Sequence, residues 1–154
     1  MRKLLLTTFV FGIVFAAQPA PARADFGLGL FLGRPTGLDL KFGIGNRSNL
    51  DIVLGYTTIF DGRTGYGHVT YLVTPLVGQG NAVLVPLRIG IGAALYGPSD
   101  DIGFAVRAPL EVGIRLRRTP LEFYGEIALA LQVVGPGDDP RLDVQGGGGF
   151  RLYF

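Results

Sequence analysis

His68 is the only histidine of this chain, and Ser48 and Ser99 are its only serines. A serine, a histidine and an acid are the residue set for nucleophilic acyl transfer. Neither serine lies in a recognisable nucleophile context. Ser48 falls in a predicted turn and Ser99 in a predicted loop, so only Ser99 can share an end of the fold with His68. Asp100-Asp101 and Asp138-Asp139 are adjacent acids able to hold a divalent cation weakly, although solvated loop charges need no such role. The Gly27-x-Gly29 pair and the Gly146–Gly149 run are not phosphate-cradling loops, because no helical pattern follows either. Cysteine is absent, which excludes disulfides and thiolate metal sites. No catalytic residue, cofactor or metal site is therefore assigned.

A second set of residues is chemically more suggestive. Asp39, Lys41, Asp51, Arg88, Arg107, Glu111, Arg115, Glu122, Glu126, Asp143 and Arg151 each alternate with apolar neighbours. Their signs nearly balance. Arginine's planar fork can bridge two carboxylates at once. Brought to one face, these residues would form a paired, structural network. Charges away from water are tolerable only when paired or hydrated.

The elements that must position them repeat at period two. Leu28, Leu30 and Leu32 alternate mostly with glycines. Leu38, Leu40, Phe42 and Ile44 oppose Asp39, Lys41 and Gly43. Leu50, Ile52, Leu54 and Tyr56 oppose Asp51, Val53 and Gly55. Val69, Tyr71 and Val73 oppose His68, Thr70 and Leu72. The run from Val83 to Leu95 opposes Arg88, Gly90, Gly92, Ala94 and Tyr96. The run from Ile102 to Leu116 opposes Arg107, Glu111 and Arg115. Leu121 to Val133 opposes Glu122, Tyr124, Glu126 and Gln132. Leu142, Val144, Phe150, Leu152 and Phe154 oppose Asp143, Gln145, Arg151 and Tyr153.

Turn-rich clusters separate these runs. The pattern predicts an all-β fold: an eight-stranded, antiparallel, up-and-down transmembrane β-barrel over residues 25–154. The runs containing Pro86 and Pro109 exceed one membrane crossing. Those strands are expected to project beyond the hydrocarbon or to carry a bulge. No second apolar run is long enough for a transmembrane helix.

Which face points inward decides the environment. One face is almost purely Leu, Ile, Val and Phe on every strand. The other mixes Gly and Ala with charges of both signs. In a narrow barrel, small residues make room for long charged ones. The aliphatic face is therefore expected outside, against lipid, with the charges filling the lumen. An interior of eight strands is just wide enough for side chains to fill, which argues against a pore.

The chain's two ends agree with this reading. Met1-Arg2-Lys3 is basic, Leu4 to Ala17 is apolar, and Gln18 to Pro21 breaks the run before Ala22-Arg23-Ala24. This is the pattern of a signal peptide spanning residues 1–24. The sequence holds 14 basic and 12 acidic residues. Arg2, Lys3 and Arg23 leave with the leader, so 11 basic residues remain against 12 acidic ones, a net of −1. The basic character of the precursor thus gives no support for nucleic-acid binding. At the other end Phe150, Leu152 and Phe154 form one greasy face of a terminal aromatic strand, the kind of signal read by barrel-insertion machinery.

Several stretches carry a resemblance. These are Gly27 through Lys41, Leu50-Asp51 to Gly55-Tyr56, Tyr71-Leu72, Arg107 to Gly113, Glu122 to Glu126, and Gly149 to Phe154. Together they resemble the small, largely uncharacterised outer-membrane β-barrel proteins of Gram-negative bacteria, close in shape to OmpA/OmpX-type barrels. Arg34 departs from the family, which usually has Glu before Pro-Thr-Gly.

The resemblance implies a fold and a location, the cell outer membrane, but no activity. Expected partners are outer-membrane lipid and lipopolysaccharide, the barrel-insertion machinery and periplasmic chaperones. No nucleic acid is expected, and the chain is expected to be a monomer. Turns at Gly45–Asn49, Gly78–Asn81 and Arg117–Pro120 would face the periplasm with both termini. Short outer loops would lie near Arg34–Thr36, Thr58–Gly65, Gly97–Asp101 and Gly135–Arg141. Phe26, Tyr56, Phe60, Tyr66, Phe123 and Phe154 are candidates for interfacial aromatic girdles. The function expected is structural or surface-interacting, without catalysis. A small channel for ions or solutes is the alternative, and a lipid-modifying enzyme using Ser99 and His68 the third.

Overall fold

Alternation of branched or aromatic residues with small or polar ones favours strands that separate two environments. The computed structural model describes residues 26–57, 64–98, 102–135 and 140–154. The signal peptide expected at residues 1–24, Phe60, Ser99 and the paired acids Asp100-Asp101 and Asp138-Asp139 lie outside the described residues.

The strands are β1 Phe26–Arg34, β2 Thr36–Gly43, β3 Ser48–Thr57, β4 Thr64–Gln79, β5 Val83–Gly97, β6 Gly103–Leu116, β7 Leu121–Val134 and β8 Arg141–Tyr153. Each pairs antiparallel with its neighbour in sequence, and β1 pairs with β8 to close the barrel. Closure removes every sheet edge. No helix among the described residues is long and apolar enough to cross a membrane, a fact silent about strands.

Connections at one end of the barrel are short. Residues 44–47 join β2 to β3, residues 80–82 join β4 to β5, and residues 117–120 join β6 to β7. Both β1 and β8 begin or finish at this same end, called here the terminal end. The Phe154 amide donates to the Phe26 carbonyl at 2.9 Å. At the far end β1 and β2 are joined through Pro35 alone, after a cis Arg34–Pro35 bond.

The bulges do not lie at Pro86 or Pro109. The β5–β6 register runs unbroken past both prolines, from Val83↔Leu116 to Tyr96↔Gly103. One bulge lies on β4, where Val73 faces Ile89 and Leu76 faces Leu87, so Thr74 and Pro75 together oppose Arg88. The inserted residue switches the inward parity of β4. Tyr66, His68, Thr70, Leu72 and Thr74 are buried ahead of it, whereas beyond it Val77 sits opposite inward Pro86. Proline suits such a place because it has no N–H to give the ladder. The second bulge lies on β7, where Phe104 pairs with Val134 and Ala105 with Gln132, leaving Val133 extra.

The two faces divide as alternation requires. Leu32, Leu54, Ile91, Leu95, Ile114, Ile127, Leu129 and Val144 are all exposed on the outside. Asp39, Arg107, Glu111, Glu122 and Arg151 are all at 0% exposure inside. Polar residues fill the core and apolar residues cover the surface, the reverse of a water-soluble globule.

One of the aromatic expectations changes. Tyr66 faces the lumen, 5% exposed, and is not part of an outer girdle. Its parity is that of His68 and Thr70, and its hydroxyl donates to Gln145 Oε1 at 2.9 Å. Phe26, Phe42 and Phe154 cluster outside at the terminal end, with ring centroids 5.1 and 6.2 Å from Phe26. Tyr56 and Phe123 are also exposed on the outer face.

Candidate functional site

Arg151 is the centre of the lumen. It extends from β8, yet its guanidinium meets carboxylates from four other strands. Nε donates to Asp39 Oδ2 of β2 at 2.6 Å, and Nη2 donates to Asp51 Oδ1 of β3 at 2.9 Å. Nη2 also reaches Glu111 Oε2 of β6 at 2.8 Å, and Nη1 reaches Glu122 Oε1 of β7 at 3.5 Å. The guanidinium carbon lies 3.5 Å from the centre of the Tyr124 ring, stacked on its face. The Tyr124 hydroxyl in turn donates to Asp39.

Lys41 and Arg88 extend the network toward the terminal end. Lys41 Nζ donates to Glu111 Oε1 at 3.0 Å. Arg88 grips Glu122 with both terminal nitrogens at 2.8 Å and touches Glu111 Oε1 at 2.5 Å. The Tyr153 hydroxyl adds a donor to Glu122 at 3.2 Å. The bidentate fork is the geometry for which arginine is suited and lysine is not.

Toward the far end the partners change. Arg107 Nη2 donates to Glu126, and Nη1 lies 2.5 Å from His68 Nε2 and 3.3 Å from Thr70 Oγ1. His68 Nε2 is also 3.8 Å from Asp51 Oδ2, and the ring packs edge-on against Tyr66. His68 is thus enclosed by charged and aromatic neighbours at 3% exposure. Ser48 is the first residue of β3 and pairs with Val73, whereas His68 pairs with Val53. Five residues along a strand separate the two levels by about 17 Å, too far for proton transfer.

Glycines seat the large side chains. The Tyr124 ring lies over Gly149, where a Cβ would collide with it, and the Phe31 ring does the same at Gly147. Phe31 and Tyr124 stack with centroids 5.9 Å apart and, with Val53, form a small apolar cluster above Arg151. Phe31 shares the parity of Gly27 and Gly29, the signal that places it inside.

Arg115 and Asp143 stand apart from the ion pairs. The Arg115 guanidinium lies 4.0 Å over the Tyr153 ring at the terminal mouth, with no carboxylate partner among the described residues. Asp143 faces the lumen near the far end, and its Oδ2 is buried without a hydrogen-bond partner. Phe150 and Leu152 lie on the outer face of β8, and Phe154 follows it, 43% exposed.

Among the described residues no cluster of His, Cys, Asp or Glu is arranged to hold a metal. The site's chemistry is electrostatic cross-linking: it ties non-adjacent strands together across the lumen and fills the cross-section. Comparison of the chain with protein-family models, with curated proteins and with solved structures returns no match.

Proposed function

We propose that the chain is an integral outer-membrane β-barrel whose lumen is closed by its ion network, with a structural or surface-interaction role and no catalysis. The observation that carries this reading is the inverted partition of side chains. Each large aliphatic side chain left in water forgoes about 1.5–3 kcal/mol of burial. A domain's whole stability is only about 5–15 kcal/mol. An unbroken apolar belt around the outer wall therefore needs an apolar solvent, and exposed patches of that size otherwise drive association. A lipid bilayer supplies that solvent, and closed barrels satisfy its demand that every backbone group be paired internally.

The Met1–Ala24 pattern supports export, and the resemblance to small Gram-negative outer-membrane barrels supports the destination. Both termini then face the periplasm. Lipid and lipopolysaccharide surround the apolar belt, and the insertion machinery reads the Phe150, Leu152 and Phe154 face. The crowding of Arg151, Arg107, Glu111 and Glu122 across the interior favours a sealed lumen over a channel.

Heat-modifiable gel migration of the protein from an outer-membrane fraction tests the proposal. A mobility difference between boiled and unboiled samples is expected. Recovery in the soluble periplasmic fraction, with no such difference, would overturn it.

A further inference from the structure

A cavity of about 270 Å³ opens at the terminal end of the barrel. Three arginines line it: Arg47 from the β2–β3 turn, Arg88 from β5 and Arg115 from β6. Asn46, Asn49 and Thr74 add neutral hydrogen-bonding groups, and no carboxylate lines it. This composition departs from the rest of the lumen, where Lys41, Arg107 and Arg151 each touch an acid. Among the described residues the Arg115 guanidinium meets only the Tyr153 ring. Arg88 spends its terminal nitrogens on Glu111 and Glu122, but its buried Nε–H has no acceptor. Arg47 is exposed at the rim, and its backbone is fixed there because its carbonyl accepts from the Thr74 amide at 2.8 Å. The β4 bulge at Thr74-Pro75 brings that amide to the turn.

We propose that this mouth is a binding site for one phosphate group. Guanidinium groups from three separate elements, with amide and hydroxyl donors between them, suit an acceptor with oxygens in several directions and up to two negative charges. Phosphate meets that description better than a planar carboxylate. Arg47 and Arg115 line the mouth with no carboxylate partner among the described residues, so an anion here supplies a counter-charge that the lining itself lacks. The site stands on the cavity alone. Only the compartment it faces, the periplasm, follows from the orientation proposed above.

The test is calorimetric titration of the purified barrel, in a phosphate-free maltoside detergent, with inorganic phosphate and with glycerol 3-phosphate. Saturable binding in the millimolar range or tighter is expected. Arg115→Gln and Arg47→Gln should each weaken it by about tenfold, the loss of one charge-assisted contact. Neither residue belongs to the ion-pair network, and retained heat-modifiable migration checks that both variants fold. Displacement of bound glycerol 3-phosphate by short-chain phosphatidylglycerol would assign the group to a lipid headgroup. Binding indifferent to that lipid would assign it to a soluble phosphate ester. Absence of saturable binding by the folded barrel would overturn the site, as would equal binding by sulfate, phosphate and acetate in wild type and both variants. Failure of the membrane reading would instead show in the unboiled migration, before any ligand is added.

Discussion

Arg151 and Asp39 meet at 2.6 Å across an intervening strand. Between them lies Gly29, which pairs with Asp39 on one side and with Arg151 on the other. With no side chain at that position, β8 reaches β2 over the top of β1. The contact therefore fastens three strands at the seam where the barrel closes.

Arg151→Met is expected to destabilise the barrel more than the loss of any other charged side chain in the lumen. It leaves the four carboxylates of β2, β3, β6 and β7 short of their shared cation. Breaking a buried pair by removing one partner costs about 3–5 kcal/mol. Asp39→Asn should cost less, since the amide oxygen still accepts from the Tyr124 hydroxyl. Urea midpoints of the refolded barrel, read by unboiled gel migration, check the order. Equal midpoints for both variants would show that Arg151 is not the hub.

Gly29→Ala should prevent closure or force β1 away from β8. A Cβ at that position overlaps the Phe150 carbonyl oxygen, a backbone atom that cannot swing aside. Gly125→Ala is the control, because the nearest atom to a Cβ there is 3.9 Å away, an ordinary contact. The yield of heat-modifiable protein after refolding distinguishes the two. A normal yield for Gly29→Ala would mean that β1 and β8 have room to part.

Leu129→Arg tests the solvent around the barrel. Leu129 is 53% exposed midway along the outer face of β7. Arginine near a bilayer midplane costs about 2–4 kcal/mol, whereas on a water-facing surface it costs close to nothing. The difference is measured as the shift in unfolding midpoint in lipid vesicles. A variant as stable as the parent there would contradict a lipid-facing β7.

Conductance examines the lumen directly. The wild-type barrel should give no discrete current steps in a planar bilayer, because Arg107, Arg151, Glu111 and Glu122 are fully enclosed across its middle. Regular steps in the wild-type trace would show that the ion pairs part to leave a path.

Tyr66→Phe should cost about 0.5–1.5 kcal/mol, the net worth of its hydrogen bond to Gln145. Were Tyr66 an outer girdle residue, the same change would be close to neutral.

Much of this architecture is legible at period two. Alternation alone separates Asp39 and Lys41 from Leu38 and Leu40, and it does the same for Arg107 and Glu111 among their neighbours. It reports parity well and the interruption of parity badly. The β4 bulge at Thr74-Pro75 is one inserted residue, visible only against the partner strand, so attention falls on Pro86 and Pro109 instead. Position alone misplaces Tyr66, because an aromatic near a strand end suits either face, although its parity with His68 points inward. Arg115 has the right parity for the network and pairs directly with Glu122, but the oxygens of that acid are already taken by Arg88, Arg151 and Tyr153. Sequence order carries no measure of such competition.

The glycine run in β8 has a consequence for assembly. Gly146 to Gly149 give the closing strand little preference of its own for extended structure, since glycine loses the most freedom on ordering. Beside its backbone ladders with β1 and β7, that strand is fastened by Arg151, whose partners are acids from β2, β3, β6 and β7 together. A barrel missing any of those strands offers it an incomplete set. The last strand thus works as a latch that reads whether the preceding strands are in place, and the fold verifies itself in the act of closing.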